Sequence, residues 1–126
     1  MCAKSVDELF VYQKALAAAD AVSAILKRES FKRDLRFRED LGASSQSVAA
    51  LVAEGFSQNT DRHFASYLFR SRGSSSETRT HLHAARVRAH ITLDEEVALA
   101  MRYNEIEKML TGLIAHLQRE DRRTRG

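Results

Sequence analysis

The sequence predicts an all-α fold, an antiparallel up-down-up-down four-helix bundle. Three observations predict it. The 126 residues contain no proline and only five glycines, so the residues that most often break helices and mark turns are scarce. Apolar side chains recur at steps of three and four along four long stretches, which is the helical period and not the strand period of two. The links between those stretches are short, and capping signals or a glycine stand beside them. Hydrophobic residues make up 44% and charged residues 29%, ordinary values for a folded chain and contrary to wholesale disorder. The length suits one domain, residues 1–126.

The first helix is expected near residues 6–28. Leu9, Tyr12, Leu16, Ala19, Val22 and Leu26 follow the helical period. Ser5 with Glu8 three residues on has the form of a capping box. A charged link follows: Lys27 to Asp40 holds six bases and four acids, expected as a solvated connection and first helical turn. The second helix is expected near 34–55, with Phe37, Leu41, Val48, Leu51 and Val52 inward and Gly55 as its C-terminal stop. Its Ser44-Ser45-Gln46-Ser47 run has mediocre propensity, but the apolar spacing resumes in phase beyond it.

The third helix is expected near 61–89, with Thr60 as its cap and Asp61 in its first turn. Its inward line is Phe64, Leu68, Ser71, Ser75, Thr78, Leu82 and Ala85. Propensity alone reads Gly73-Ser74-Ser75-Ser76 as a loop. The unbroken register predicts helix there, with small residues that allow another helix to approach closely. The fourth helix is expected near 93–119, opened by a Thr92/Glu95 capping box. Leu99, Tyr103, Ile106, Leu110, Leu113 and Leu117 form its stripe. A basic tail from about residue 119 lacks apolar anchors and is expected to fray. Phe10, Phe69, Met101 and Met109 are surplus apolar positions, suited to the edge of the core or to a subunit interface.

Several kinds of chemistry find no support. Cys2 is the only cysteine, so an intrachain disulfide and a thiolate-rich metal site are both excluded. No GxGxxG, GxxxxGK[ST] or HExxH motif occurs. His63, His81, His83, His90 and His116 lack chelating spacing, and no ExxH supports a di-iron bundle. Glu54 and Glu77 adjoin small-residue patches and are expected in salt bridges or caps. The chain is therefore expected to be non-enzymatic, with no metal and no cofactor. The opening residues have no apolar core of a signal peptide, and no apolar run reaches the length of a membrane span. A cytoplasmic protein without a membrane partner is expected.

The net charge is +3, and its distribution is uneven. Thr60 to His90 carries six arginines and four histidines against Asp61 and Glu77, whereas Thr92 to Glu120 carries six acids against three bases. Arg72, Arg79, His83, Arg86 and His90 follow spacings of seven, four, three and four, which places them on one side of the third helix. Such a ridge suits sequence-independent contact with the phosphates of RNA or DNA. The competing expectation is that its arginines pair with the acids of the fourth helix.

Three segments carry a family resemblance that spans residues 9–117. Leu9-Phe10-Val11-Tyr12-Gln13-Lys14-Ala15 resembles a first-helix motif, L-x-V-[WY]-Q-K-A. Ser47-Val48-Ala49-Ala50-Leu51-Val52-Ala53-Glu54-Gly55 resembles S-I-P-A-N-I-A-E-G. The stretch from Phe64 through Leu68, Arg72, Gly73 and Ser74 to Glu77 resembles F-x-x-[FY]-L-x-x-A-[RK]-G-S-x-x-E. These belong to the bacterial four-helix-bundle family first found in intervening sequences of 23S ribosomal RNA genes, also called the S23 ribosomal protein family. Its relatives include the accessory variability protein of diversity-generating retroelements. The resemblance implies a homo-oligomer, with a pentamer preferred. For the retroelement relatives it implies a nucleic acid and a reverse transcriptase as partners; elsewhere in the family another protein is an open choice. The chain departs from the pattern at Ala49 and Leu51, where the family has proline and asparagine. It departs again at Gly42 and Ala43, where a basic pair is common.

Overall fold

The computed structural model describes residues 3–125. The readings of Cys2 therefore lie outside the described residues. Four helices follow one another: α1 (Phe10–Leu26), α2 (Leu35–Phe56), α3 (Asp61–Val87) and α4 (Leu93–Arg125). Short 3-10 segments, Val6–Glu8 and Glu29–Arg33, precede α1 and α2. Each helix packs chiefly on its neighbours around the ring, so the bundle is antiparallel and up-down-up-down. Its most extensive seams are α2–α3 and α3–α4.

The inward line of α3 is the predicted one: Phe64, Leu68, Ser71, Ser75, Thr78, Leu82 and Ala85 are all buried. Its small polar members are satisfied across the seams. Ser71 Oγ donates to the Val48 carbonyl at 2.7 Å. Thr78 Oγ1 donates to the Ser74 carbonyl at 2.8 Å and lies 3.0 Å from Ser44 Oγ. Ser75 Oγ reaches Glu107 Oε2 at 2.8 Å. These bonds offset the desolvation of three hydroxyls, and they explain why a helix with so weak an apolar stripe passes unbroken through Gly73. Gly73 itself faces open space.

The inward face of α1 is turned by about one residue from the expected one. Val11, Ala15, Ala18, Ala19, Val22 and Ile25 are buried, whereas Leu16 is exposed and Leu9, Tyr12 and Leu26 are only partly covered. Small side chains at 15 and 18 let the neighbouring helices come close, and the larger ones are displaced to the flanks. On α4, Ile114 is buried and Leu113 is partly covered.

Helix ends show three further differences. Ser5 forms no side-chain cap, and Glu8 accepts from the Lys4 N–H at 2.7 Å. The Gln13 amide donates to the Asp7 carbonyl at 2.7 Å instead, tying the entering chain to α1. Gly55 lies inside α2 without a left-handed backbone. Its role is close approach, since a Cβ there would stand 2.8 Å from Tyr67 Cβ and 3.2 Å from the Phe64 carbonyl oxygen. Helix α4 runs on through Arg125, past the expected fray near 119, with Arg123–Glu120 and Arg125–Asp121 pairs along its last turns. The Thr60 cap and the reciprocal Thr92/Glu95 box are both formed. No described helix is long and apolar enough to cross a membrane.

Candidate functional site

The α3–α4 face holds most of the residues singled out by charge. Four of the five ridge residues lie along it, and each is engaged. Arg79 grips Glu107 with two hydrogen bonds, Nε at 2.6 Å and Nη2 at 2.8 Å. Arg86 and His83 both meet Glu96. Arg72 donates to Thr111 Oγ1 at 3.1 Å and lies over the Phe69 ring at 5.0 Å. Bonding to Glu107 raises the Arg79 guanidinium above its ordinary range. Burial pushes the Glu96 carboxyl up, but Arg86 and His83 outweigh it and hold the group below its usual value. The face is therefore a zipper of opposite charges, with the acids of α4 set against the bases of α3.

His90 is not part of that ridge. Helix α3 ends at Val87, and Ala89 adopts a left-handed φ of 65°. The His90 N–H then donates back to the Ala85 carbonyl and the Ala89 N–H to the Arg86 carbonyl, the paired closure of a Schellman turn. This turns the imidazole inward, where it is only 7% exposed. It stacks on Phe31 at 4.0 Å, with Phe37 at 5.8 Å. Nε2 lies 2.8 Å from Asp34 Oδ2 and donates to it, while Nδ1 is hydrogen-bonded to Ser30 Oγ at 2.7 Å. Arg88 meets the same Asp34 at 3.1 Å and covers the Phe37 ring at 4.2 Å. His90 and Arg88 thus hold the Asp34 carboxyl below its ordinary range.

A second tie closes the same end. Arg28, following α1, pairs with Glu95 at the start of α4 and donates to the His90 carbonyl at 3.0 Å. With the Thr92 cap, this pairing brings the Glu95 carboxyl down to about 2. Ser30, Asp34, Arg88 and His90, joined by Arg28 and Glu95, form a polar clasp around Phe31. The expected solvated link at 27–40 therefore contains a fully buried aromatic. Nothing in the periodicity signals this cluster, whose members stand up to 67 residues apart. The one local hint is an aromatic inside a charged run.

The motif residues divide between packing and surface. Leu68 is fully buried, Phe64 packs edge-on to Phe56 at 5.9 Å, and Tyr12 is partly covered. Lys14 pairs with Glu105 at 3.0 Å, joining α1 to α4. Glu54 is exposed, and its carbonyl accepts from Ser57 and Gln58 at the end of α2. Glu77 meets His81 at 3.7 Å, and both line an open depression with Asp40, Ser44 and Ser47. Glu54 does not line it. Among the described residues, no three His, Cys, Asp or Glu side chains converge as metal ligands would.

At the far end of the α3–α4 seam lies a groove of about 370 Å³. Phe69, Ala65 and Leu117 line it together with Arg62, Arg122 and Arg125 and the carboxylates Asp61 and Asp121. Arg62 and Arg122 have no ionic partner among the described residues.

The architecture defines a small antiparallel four-helix-bundle protein whose best-built polar cluster locks one end of the fold. The chain belongs to the 23S rRNA-intervening sequence protein family, whose model matches residues 7–112. Its fold is similar to a crystal structure, at 1.70 Å resolution, of a protein of unknown function from the S23 ribosomal protein family of Bacteroides thetaiotaomicron. The two are 20% identical, with a TM-score of 0.74 over 82% of this chain and 97% of the other. No curated protein matches the chain.

Proposed function

We propose that the chain is a non-enzymatic, self-assembling bundle that acts as an interaction or scaffold protein, with a homo-oligomer as its working form. One observation carries this reading: large apolar side chains remain exposed although the core is filled. Val87, Leu93, Val97 and Met101 are each at least half exposed and gather where α3 ends and α4 begins. The last three follow steps of four and share one stripe of α4. Contiguous apolar surface of this kind is characteristic of a covered face. The preferred number, five, rests on family resemblance and not on the surface.

Light scattering at micromolar concentration tests the reading. The expected mass is a multiple of 14.2 kDa, and Val97→Glu/Met101→Glu is expected to lower it without loss of helicity. A wild-type monomer rejects self-assembly. A dimer keeps the physical reading and rejects the pentamer.

A nucleic-acid role, with a reverse transcriptase as in the retroelement relatives, is the finer alternative. The ridge that suggested it is paired with Glu96 and Glu107, so its support narrows to exposed arginines such as Arg119 and Arg122. Anisotropy of a labelled oligonucleotide at low and moderate salt checks it, since phosphate contacts weaken steeply with salt.

A further inference from the structure

Phe10 is the most exposed large apolar side chain of those described, at 72%, and it follows two exposed acids, Asp7 and Glu8. The groove between α3 and α4 offers the complementary features. Its floor contains Phe69 and Leu117, and its rim contains Arg62, Arg122 and Arg125. Two aspartates, Asp61 and Asp121, face the same space, so the arginines exceed the acids by one. Asp121 is drawn towards Arg125 at 3.5 Å, which leaves Arg62 and Arg122 facing Asp61 alone, an excess of one positive charge. The volume, about 370 Å³, accommodates an aromatic side chain.

We propose that the groove receives the acidic, Phe10-bearing start of α1 from a second copy of the chain, in a head-to-tail contact. This rests on the self-assembly reading above and adds which surfaces meet. An isologous contact through either surface alone would leave the other exposed, whereas a heterologous contact covers both. Position in the bundle supports closure. Helix α1 starts, α3 starts and α4 ends at the same end of the molecule, so copies joined this way stay level and do not climb into a filament. Lys14 pairs with Glu105 and lies one turn beyond Phe10, so Phe10 sits on the flank of α1 nearer α4. The groove occupies the next seam, so the two surfaces lie on different sides of the bundle, as a heterologous contact requires. Phe69 and Val87 are about five helical turns apart and share one line of α3. The groove and the apolar stripe at the opposite end therefore belong to one face, which a neighbouring copy covers along its length.

Complementation in the full-length chain tests this. Phe10→Glu damages one surface and Phe69→Glu the other, and both positions are exposed enough to spare the core. Each variant alone is expected to fall to the monomer mass of 14.2 kDa while keeping the wild-type helical circular dichroism. Mixed in equal amounts they are expected to form a dimer and nothing larger, because each pair retains one intact contact. Asp7→Arg/Glu8→Arg is expected to dissociate the assembly, and adding Arg62→Glu/Arg122→Glu in the same chain to restore it. If both Phe variants keep the wild-type mass, or their mixture stays monomeric, the head-to-tail contact is overturned while self-assembly stands. If the wild type is itself monomeric, both readings fail. If that monomer binds a labelled oligonucleotide and Phe69→Glu abolishes the binding, the groove belongs to nucleic acid.

Discussion

Tyr103 is fully buried on α4, and its hydroxyl has no hydrogen-bond partner among the described residues. Burial pushes that hydroxyl's pKa up, and the charge of Arg102 offsets only part of the effect. An unsatisfied buried donor costs about 1–3 kcal/mol, whereas the ring fills space the core needs. Tyr103→Phe is therefore expected to hold or raise stability, by about 1 kcal/mol in urea denaturation, and Tyr103→Ala to lose about 3–5 kcal/mol. A clear loss in Tyr103→Phe would mean that the hydroxyl is satisfied, by water for instance. His90 shows the limit of reading single residues. Spacing alone places it on the basic ridge, seven residues from His83. One left-handed residue, Ala89, ends the helix before it and turns it into an aromatic stack. The usual sign of such a turn is glycine, and here it is absent.

Among the elements, the inward line of α3 was legible in the sequence, though the helix ends at Val87 and not at 89, and that of α1 was not. On α3 the large side chains and the hydrogen-bonding small ones share one line, so periodicity and burial agree. On α1 the largest side chains mark the flanks, and alanines fill the seam because neighbouring backbones come close. Size misleads wherever packing selects small residues. The α2–α3 seam makes the same point energetically at Gly55, where a Cβ would collide with Tyr67 and the Phe64 carbonyl. Gly55→Ala gains helix propensity, but overpacking costs about 1–3 kcal/mol and is expected to prevail as a lower urea midpoint. The reverse holds at Ala89, whose φ of 65° is strained for any residue with a Cβ. Ala89→Gly is expected to stabilise the protein by about 1 kcal/mol, visible as a higher melting temperature. An unchanged or lower melting temperature would show that unfolded-state entropy outweighs the relieved strain.

For the whole molecule, the clasp end sets the response to acid. Four helix termini meet there: the ends of α1 and α3 and the starts of α2 and α4. Two carboxylates hold them. Glu95 is brought from an ordinary 4.5 to about 2 by Arg28 and the Thr92 cap, and Asp34 is lowered from 3.8 by His90 and Arg88. Both folded-state values are depressed, so the unfolded chain takes up these protons first as pH falls. Their contribution is fully present above about 4.5 and is lost progressively toward about 2. Urea midpoints measured from neutral pH downward are expected to be flat with respect to these two groups until about pH 5, then to fall. Glu95→Gln is expected to start lower at neutral pH and to decline less steeply, because one of the two groups no longer titrates. Asp34→Asn is expected to do the same, and to loosen the imidazole stack as well. Added salt weakens exposed pairs more than buried ones. Arg28–Glu95 and Arg88–Asp34 are about equally exposed, and only the His90–Asp34 contact is shielded on its imidazole side, so salt should narrow the gap between wild type and Glu95→Gln and leave the His90 part of the gap to Asp34→Asn. If the acid slopes of both variants match the wild type, the clasp does not govern acid sensitivity, and Glu96 of the α3–α4 zipper, also held below its usual value, becomes the group to test next.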